Sequence, residues 1–126
     1  MIELAGPAII EDGKLLLLWK KREHHYEFPG GKIEPGETPE HACVREAKEE
    51  IGVSIQVEKY LGYIDFTLEG YGQLRSHKFL AHISSGEPRI MEPSKHEAIF
   101  WMPLADFEKY RLAPNARIFC ANFTLS

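Results

Sequence analysis

Residues 30–53 read GGKIEPGETPEHACVREAKEEIGV, a glycine turn followed by a helix start and a run of glutamates. Thr38 suits the cap of a helix whose first residue is Pro39. A threonine hydroxyl accepts from the free amides of a first turn, and proline lacks a hydrogen that this position leaves unused. Glu40 follows where the helix dipole favours negative charge. Gly52 suits a left-handed C-terminal cap, so the spacing predicts a helix from Pro39 to about Ile51. At about 100° per residue, Glu46, Glu49 and Glu50 share one face of that helix. Val44, Ala47 and Ile51 fall on another and are expected to pack.

Three carboxylates on one face repel one another, and like charges at i,i+4 destabilise a helix. A positive group is therefore expected beside them. Oxygen-only ligation by carboxylates suits a hard divalent cation such as Mg²⁺, with Mn²⁺ possible, and such ions also take water and phosphate oxygens. The alternative for an isolated E-x-x-E-E run is a solvated acidic face.

The surroundings of the run favour the cation. Gly31, Glu37 and Arg45-Glu46-Ala47-Lys48-Glu49-Glu50-Ile51-Gly52-Val53 resemble the Nudix box, G-x5-E-x7-R-E-U-x-E-E-x-G-U, where U is a bulky aliphatic. Every fixed position is filled, and only Ala47 is smaller than the usual leucine or isoleucine. Tyr26-Glu27-Phe28-Pro29-Gly30 resembles the lead-in of the MutT-like branch. The resemblance implies an α/β chain with the Nudix fold, an α/β/α sandwich around a mixed sheet carrying a catalytic loop-helix-loop. It also implies that the carbonyl of Gly30 joins Glu46, Glu49 and Glu50 around the metal. Gly31 and Gly52 then support the loop and helix, and Glu37 and Arg45 form an ion pair bracing one against the other.

Composition bounds the function. The 126 residues are expected to form one domain, 1–126, with 44% hydrophobic and 27% charged residues as in a soluble globular chain. A net charge of −4 and a pI near 5.9 argue against a grip on a nucleic acid polymer, which needs a basic face. A small phosphorylated ligand stays open, because a metal supplies positive charge locally. Two distant cysteines, Cys43 and Cys120, suit a reduced cytoplasmic protein. No apolar run is long enough to span a membrane, and monomer and homodimer are both open.

Along the chain, Ile2 to Ile10 and Lys14 to Lys20 read as strands around the turn Glu11-Asp12-Gly13. The unbroken Leu15-Leu16-Leu17-Leu18 predicts a strand buried on both faces. Ser54 to Leu61 reads as a strand broken by Gly62, with Tyr63 to Leu68 and Leu74 to Ile83 as two more around a glycine-spaced hairpin loop. A polar loop, Glu92 to Glu97, precedes a strand Ala98 to Met102. Pro103 to Tyr110 and Ala113 to Phe123 read as helices.

Outside the box the resemblance implies further site residues. The basic tip carrying Lys20 and Arg22 meets a phosphate, or is a solvated loop. His24 and His25 are taken as plain surface. Phe28, like Tyr71 and Phe79, either stacks on a base or belongs to the core. In Nudix enzymes an acidic residue from the loop before a Trp-containing strand often assists the metal or the water, which points to Glu97, with Glu92 competing. Asn115 stands where MutT-like enzymes read a nucleobase edge with an amide that donates and accepts, and its plainer reading is a helix N-cap.

The function implied is metal-dependent hydrolysis of a nucleoside triphosphate, oxidised or otherwise non-standard bases included, to a monophosphate and pyrophosphate. Glu46 is the favoured base, with Glu97 second and Glu49 in the catalytic set. Dinucleoside polyphosphates and ADP-ribose are alternative substrates, and a nucleotide-binding module without turnover is an alternative of another class.

Overall fold

In the computed structural model, which describes residues 1–123, the box segment forms helix α1, Pro39–Ile51. The Thr38 hydroxyl accepts from the His41 N–H at 3.1 Å, and Gly52 at φ 69° closes the helix with its N–H on the Lys48 carbonyl. Both caps are those the sequence predicts. The packed face differs in part: Ala42, Cys43, Ala47 and Ile51 are buried, whereas Val44 is 38% exposed. Small residues lie against the sheet here, which lets the helix approach closely and turns Val44 outward.

Strands β1 (Ile2–Glu11), β2 (Lys14–Lys20), β3 (His25–Glu27) and β4 (Gly31–Lys32) precede α1. Strands β5 (Ser54–Leu68), β6 (Gly72–Ser85) and β7 (Ala98–Pro103) follow it, with helix α2 at Pro114–Asn122. The seven strands form one mixed sheet. Its centre is the parallel pair β1 and β6, in register from Ile2↔Leu74 to Ile9↔Ala81. β5 pairs antiparallel with β6, and β4 with β1 at Ala5↔Gly31. β2 touches β1 only at the hairpin end, Ile10↔Leu15 and Glu11↔Lys14, and carries β3 and β7 on its edges.

This sheet separates two cores. Leu16 and Leu18 join Ala5, Ile9, Cys43 and Ile51 under α1, while Leu15 and Leu17 join Ala8, Phe28, Met102 and Phe119 under α2. The leucine run is therefore a strand with a helix over each face, the sandwich that the sequence implies. Burying one such leucine contributes about 1.5–3 kcal/mol.

Two expectations need correction. Gly62 does not break β5, which runs unbroken through it. The register shifts at Val57/Lys59 and Tyr60/Gly62, and Gly62 takes φ 98°, a conformation at a bulge that glycine accepts without strain. The segment after β7 is a 3-10 turn, Leu104–Lys109, that leaves helical angles at Asp106. The short strands β3 and β4 carry no sequence pattern of their own, being too short for a period.

Leu17→Ala is expected to lower stability by about 2–5 kcal/mol, and Val44→Ala by under about 0.5 kcal/mol, in urea unfolding. Equal losses would contradict the packing of α1 and β2.

Candidate active site

Arg45 joins the loop before α1 to its acidic face. Its Nε and Nη2 donate to Oε2 and Oε1 of Glu37 at 2.7 and 2.9 Å, a two-pronged pair that only a guanidinium makes. Nη2 also donates to the Lys32 carbonyl at 3.0 Å. The Glu37 carboxyl, 7% exposed, is held at about 2 by Arg45 first and then by the Glu34 N–H. The expected loop-to-helix brace is thus present, with more bonds than a single ion pair.

The third nitrogen reaches the glutamates. Nη1 of Arg45 donates to Oε1 of Glu46 and to Oε2 of Glu49, each at 2.9 Å. Glu50, only 5% exposed, accepts from the Gly30 N–H at 2.6 Å through Oε1. Burial raises the Glu50 carboxyl to about 7 in spite of that N–H. Burial also raises Glu46. A Cβ at Gly31 would lie 2.6 Å from the Glu46 carboxyl, so any larger residue there displaces the end of that side chain. The turn Gly30-Gly31 is therefore pressed directly on the glutamate face.

Among the described residues, no three acidic, histidine or cysteine side chains converge into a cation cage in this conformation. The reason is visible: Arg45 neutralises Glu46 and Glu49, and Glu50 is turned to Gly30. The donor set still fits a hard cation, because carboxylates from one helix face adjoin the backbone of a glycine turn.

The loop between β6 and β7 lies along this face. The Arg89 and Met91 amides donate to the Ile51 and Glu50 carbonyls at 3.0 and 3.1 Å. Glu92 follows, and its charge acts on Glu46. Glu97 is not brought to the cluster: it is exposed and pairs with Lys21 at 3.4 Å, while its N–H holds the Trp19 carbonyl.

Glu27 and His96 belong to the neighbourhood and were not foreseen. His96 Nε2 meets Glu27 Oε2 at 2.9 Å, and Nδ1 of this buried ring has no partner. Burial acts to raise Glu27, but hydrogen bonds from His25 and His96 and the charge of Lys20 more than offset it, leaving the carboxyl at about 2. Both charges reach Glu50, Glu27 raising and His96 lowering its carboxyl. Glu27 lies within the quoted lead-in, whereas nothing in the local sequence marks His96.

Lys20 pairs with Glu23 and Glu27, each at 3.7 Å, and Arg22 lines a cleft with His24, Lys95 and His96. Phe28 is buried edge-on against Phe119, on the opposite core from the glutamates. The Tyr26 backbone bonds Arg111 and Ala113, each at 2.8 Å, which fastens the start of α2 to β3. Asn115 stands half-buried in the first turn of α2; the cap is Ala113, so the N-cap reading of Asn115 does not hold.

A protein-family model described as "NUDIX domain" matches residues 4–123. The chain is 31% identical over 118 residues to the CTP pyrophosphohydrolase of Escherichia coli, covering 90% of this chain and 84% of that one. It is 33% identical over 102 residues to the ADP-ribose pyrophosphatase of Methanocaldococcus jannaschii, covering 77% and 60%. Its structure superposes on a MutT NUDIX hydrolase from Burkholderia pseudomallei with a TM-score of 0.89 at 35% identity, covering 98% of each chain.

A carboxyl raised on folding contributes stability that is full below its unfolded value near 4.5 and lost as pH rises through about 7. In chelator, native stability relative to Glu50→Gln is expected to fall by up to about 3 kcal/mol across that window in urea unfolding. A pH-independent difference would contradict the burial of an ionisable Glu50.

Proposed function

The chain belongs to the NUDIX family of hydrolases, acting on phosphoanhydride bonds, and from that premise we propose that it converts a nucleoside triphosphate to a nucleoside monophosphate and pyrophosphate with Mg²⁺. The observation that carries this reading is the face of Glu46, Glu49 and Glu50 drawn against Gly30 and Gly31 by Arg45. These three carboxylates, with the Gly30 carbonyl, would hold the cation. When bound, Mg²⁺ neutralises the phosphate oxygens that repel a nucleophile and acidifies the attacking water.

The side chains divide the remaining work. Glu46 is the favoured base by resemblance to the family, and burial, which raises its carboxyl, suits it to hold a proton. Water displaces at phosphorus, the bridging oxygen departs with the leaving phosphates, and Glu46 takes the proton. Glu92 is favoured over Glu97 as the assisting acid, since it follows backbone bonds to α1 and its charge acts on Glu46. Arg45 is a positioning residue, holding Glu46 and Glu49 while Glu37 holds it. Lys20 and Arg22 flank this side with positive charge suited to the outer phosphates.

The choice of a triphosphate rests on the MutT-like lead-in and on the relatives. A pyrophosphohydrolase of CTP and a MutT hydrolase cover most of this chain. ADP-ribose hydrolysis is the second reading, favoured by the Methanocaldococcus relative.

Product release from nucleoside triphosphates, dinucleoside polyphosphates and ADP-ribose, with and without Mg²⁺, tests the proposal. Cleavage of triphosphates is expected only with the metal, falling at least about 100-fold in Glu49→Gln. Binding without products would instead support a non-catalytic module. In the same assay Glu92→Gln is expected to lower kcat at least about tenfold and Glu97→Gln by less than about twofold. The reverse order would return Glu97 to the site.

A further inference from the structure

The face of the sheet under α2 carries a group that the phosphate chemistry does not use. A cleft of about 390 Å³ opens between β5 and α2, walled by Leu61, Tyr63, Ile64, Phe119 and Phe123, with Lys78 in its lining. Lys78 is 3% exposed. Among the described residues its ammonium makes no ion pair, and what it meets is the face of the Phe28 ring, 3.8 Å from Nζ to the centroid. Burying a lysine with only a ring face beneath it is costly, and burial indeed lowers it to about 7 against the raising charges of Cys43, Glu27 and Glu50. An unsatisfied donor in a cleft is matched by a ligand with an acceptor.

The walls say what kind of acceptor. Phe119 and Phe123 stack at 4.9 Å and 15° on the α2 side of the cleft. Flat aromatic walls suit a heteroaromatic ring. A phosphate fits poorly, because a dianion would enter a largely apolar cleft with a single amine to meet it. The cleft also lies near the phosphate side. Lys78 pairs with Gly6 on β1, Phe28 is two residues before Gly30, and the helix spacing puts Asn115 on the face of α2 that carries Ile118, Phe119 and Asn122.

We propose, resting on the nucleotide reading above, that Lys78 selects the substrate by donating a hydrogen bond to a carbonyl oxygen of a nucleobase held between β5 and α2. Guanine, cytosine, uracil and 8-oxo bases carry such an oxygen. Adenine carries an amino donor where guanine carries its oxygen, so an adenine held in the same orientation turns a donor toward Lys78. Lys78 thus acts on binding and not on bond cleavage.

The test measures binding of GMP, CMP, UMP and AMP by calorimetry, and kcat and KM for the triphosphates, in the native protein and in Lys78→Met. The native protein is expected to bind at least one carbonyl-bearing monophosphate about tenfold or more tightly than AMP. In Lys78→Met that ratio is expected to approach one, with the loss in KM more than in kcat and with no drop in melting temperature. The native ratio needs no variant, so a native protein that binds AMP as well as the others overturns the inference. A ratio kept in a folded Lys78→Met overturns it too, and equal weakening of all four would show that Lys78 meets a phosphate or sugar shared by them. Binding of no nucleotide at all overturns both this inference and the nucleotide reading, whereas triphosphate cleavage with an unchanged ratio removes Lys78 alone.

Discussion

The fork between Arg45 and Glu37 is the constraint from which the rest of the site follows. A planar guanidinium has donors in three directions, and here each is taken: one pair by Glu37, one hydrogen by the Lys32 carbonyl, and Nη1 by Glu46 and Glu49. The loop is therefore fixed to the helix by a charge that cannot be lost at ordinary pH. Lysine, a single point of charge, could neither pair with Glu37 through two bonds nor reach the other partners at once. Because the loop is fixed, Gly30 and Gly31 press on Glu50 and Glu46, and carboxylates that would repel are held within one small volume.

The sheet under this assembly divides the labour. One face, under α1, carries the glutamates and the charge-neutralising chemistry; the other, under α2, carries an aromatic cleft. β2 serves both by sending Leu16 and Leu18 one way and Leu15 and Leu17 the other. The two sides meet at the stretch from Glu27 to Gly30, where Glu27 binds His96, Phe28 lies under Lys78, and Gly30 binds Glu50. Charges on Glu27 and Glu50 act on Lys78, so the glutamate face and the aromatic cleft share an electrostatic neighbourhood.

Much of this was legible in residues 30–53, because caps and helical spacing are local properties. Thr38, Pro39 and Gly52 fixed the ends of α1, and the period fixed the glutamate face. The leucine run told of burial on both faces for the same reason. Contacts made across long stretches were not legible. His96 reaches Glu27 from far along the chain, the loop that carries Glu92 is placed by backbone amides, and Lys78 reads as an ordinary strand lysine until its neighbours are known. Gly62 misled because a glycine that breaks a strand and one at a bulge look alike in sequence, and only pairing with β6 distinguishes them.

On the reading proposed above, the face of Glu46 and Glu49 binds a divalent cation. Electron paramagnetic resonance of Mn²⁺ titrated into the native protein and into a Glu46→Gln, Glu49→Gln double variant measures this without any substrate. Saturable Mn²⁺ binding to the native protein, lost in a folded double variant, is the expected result. Equal binding by both proteins would contradict it.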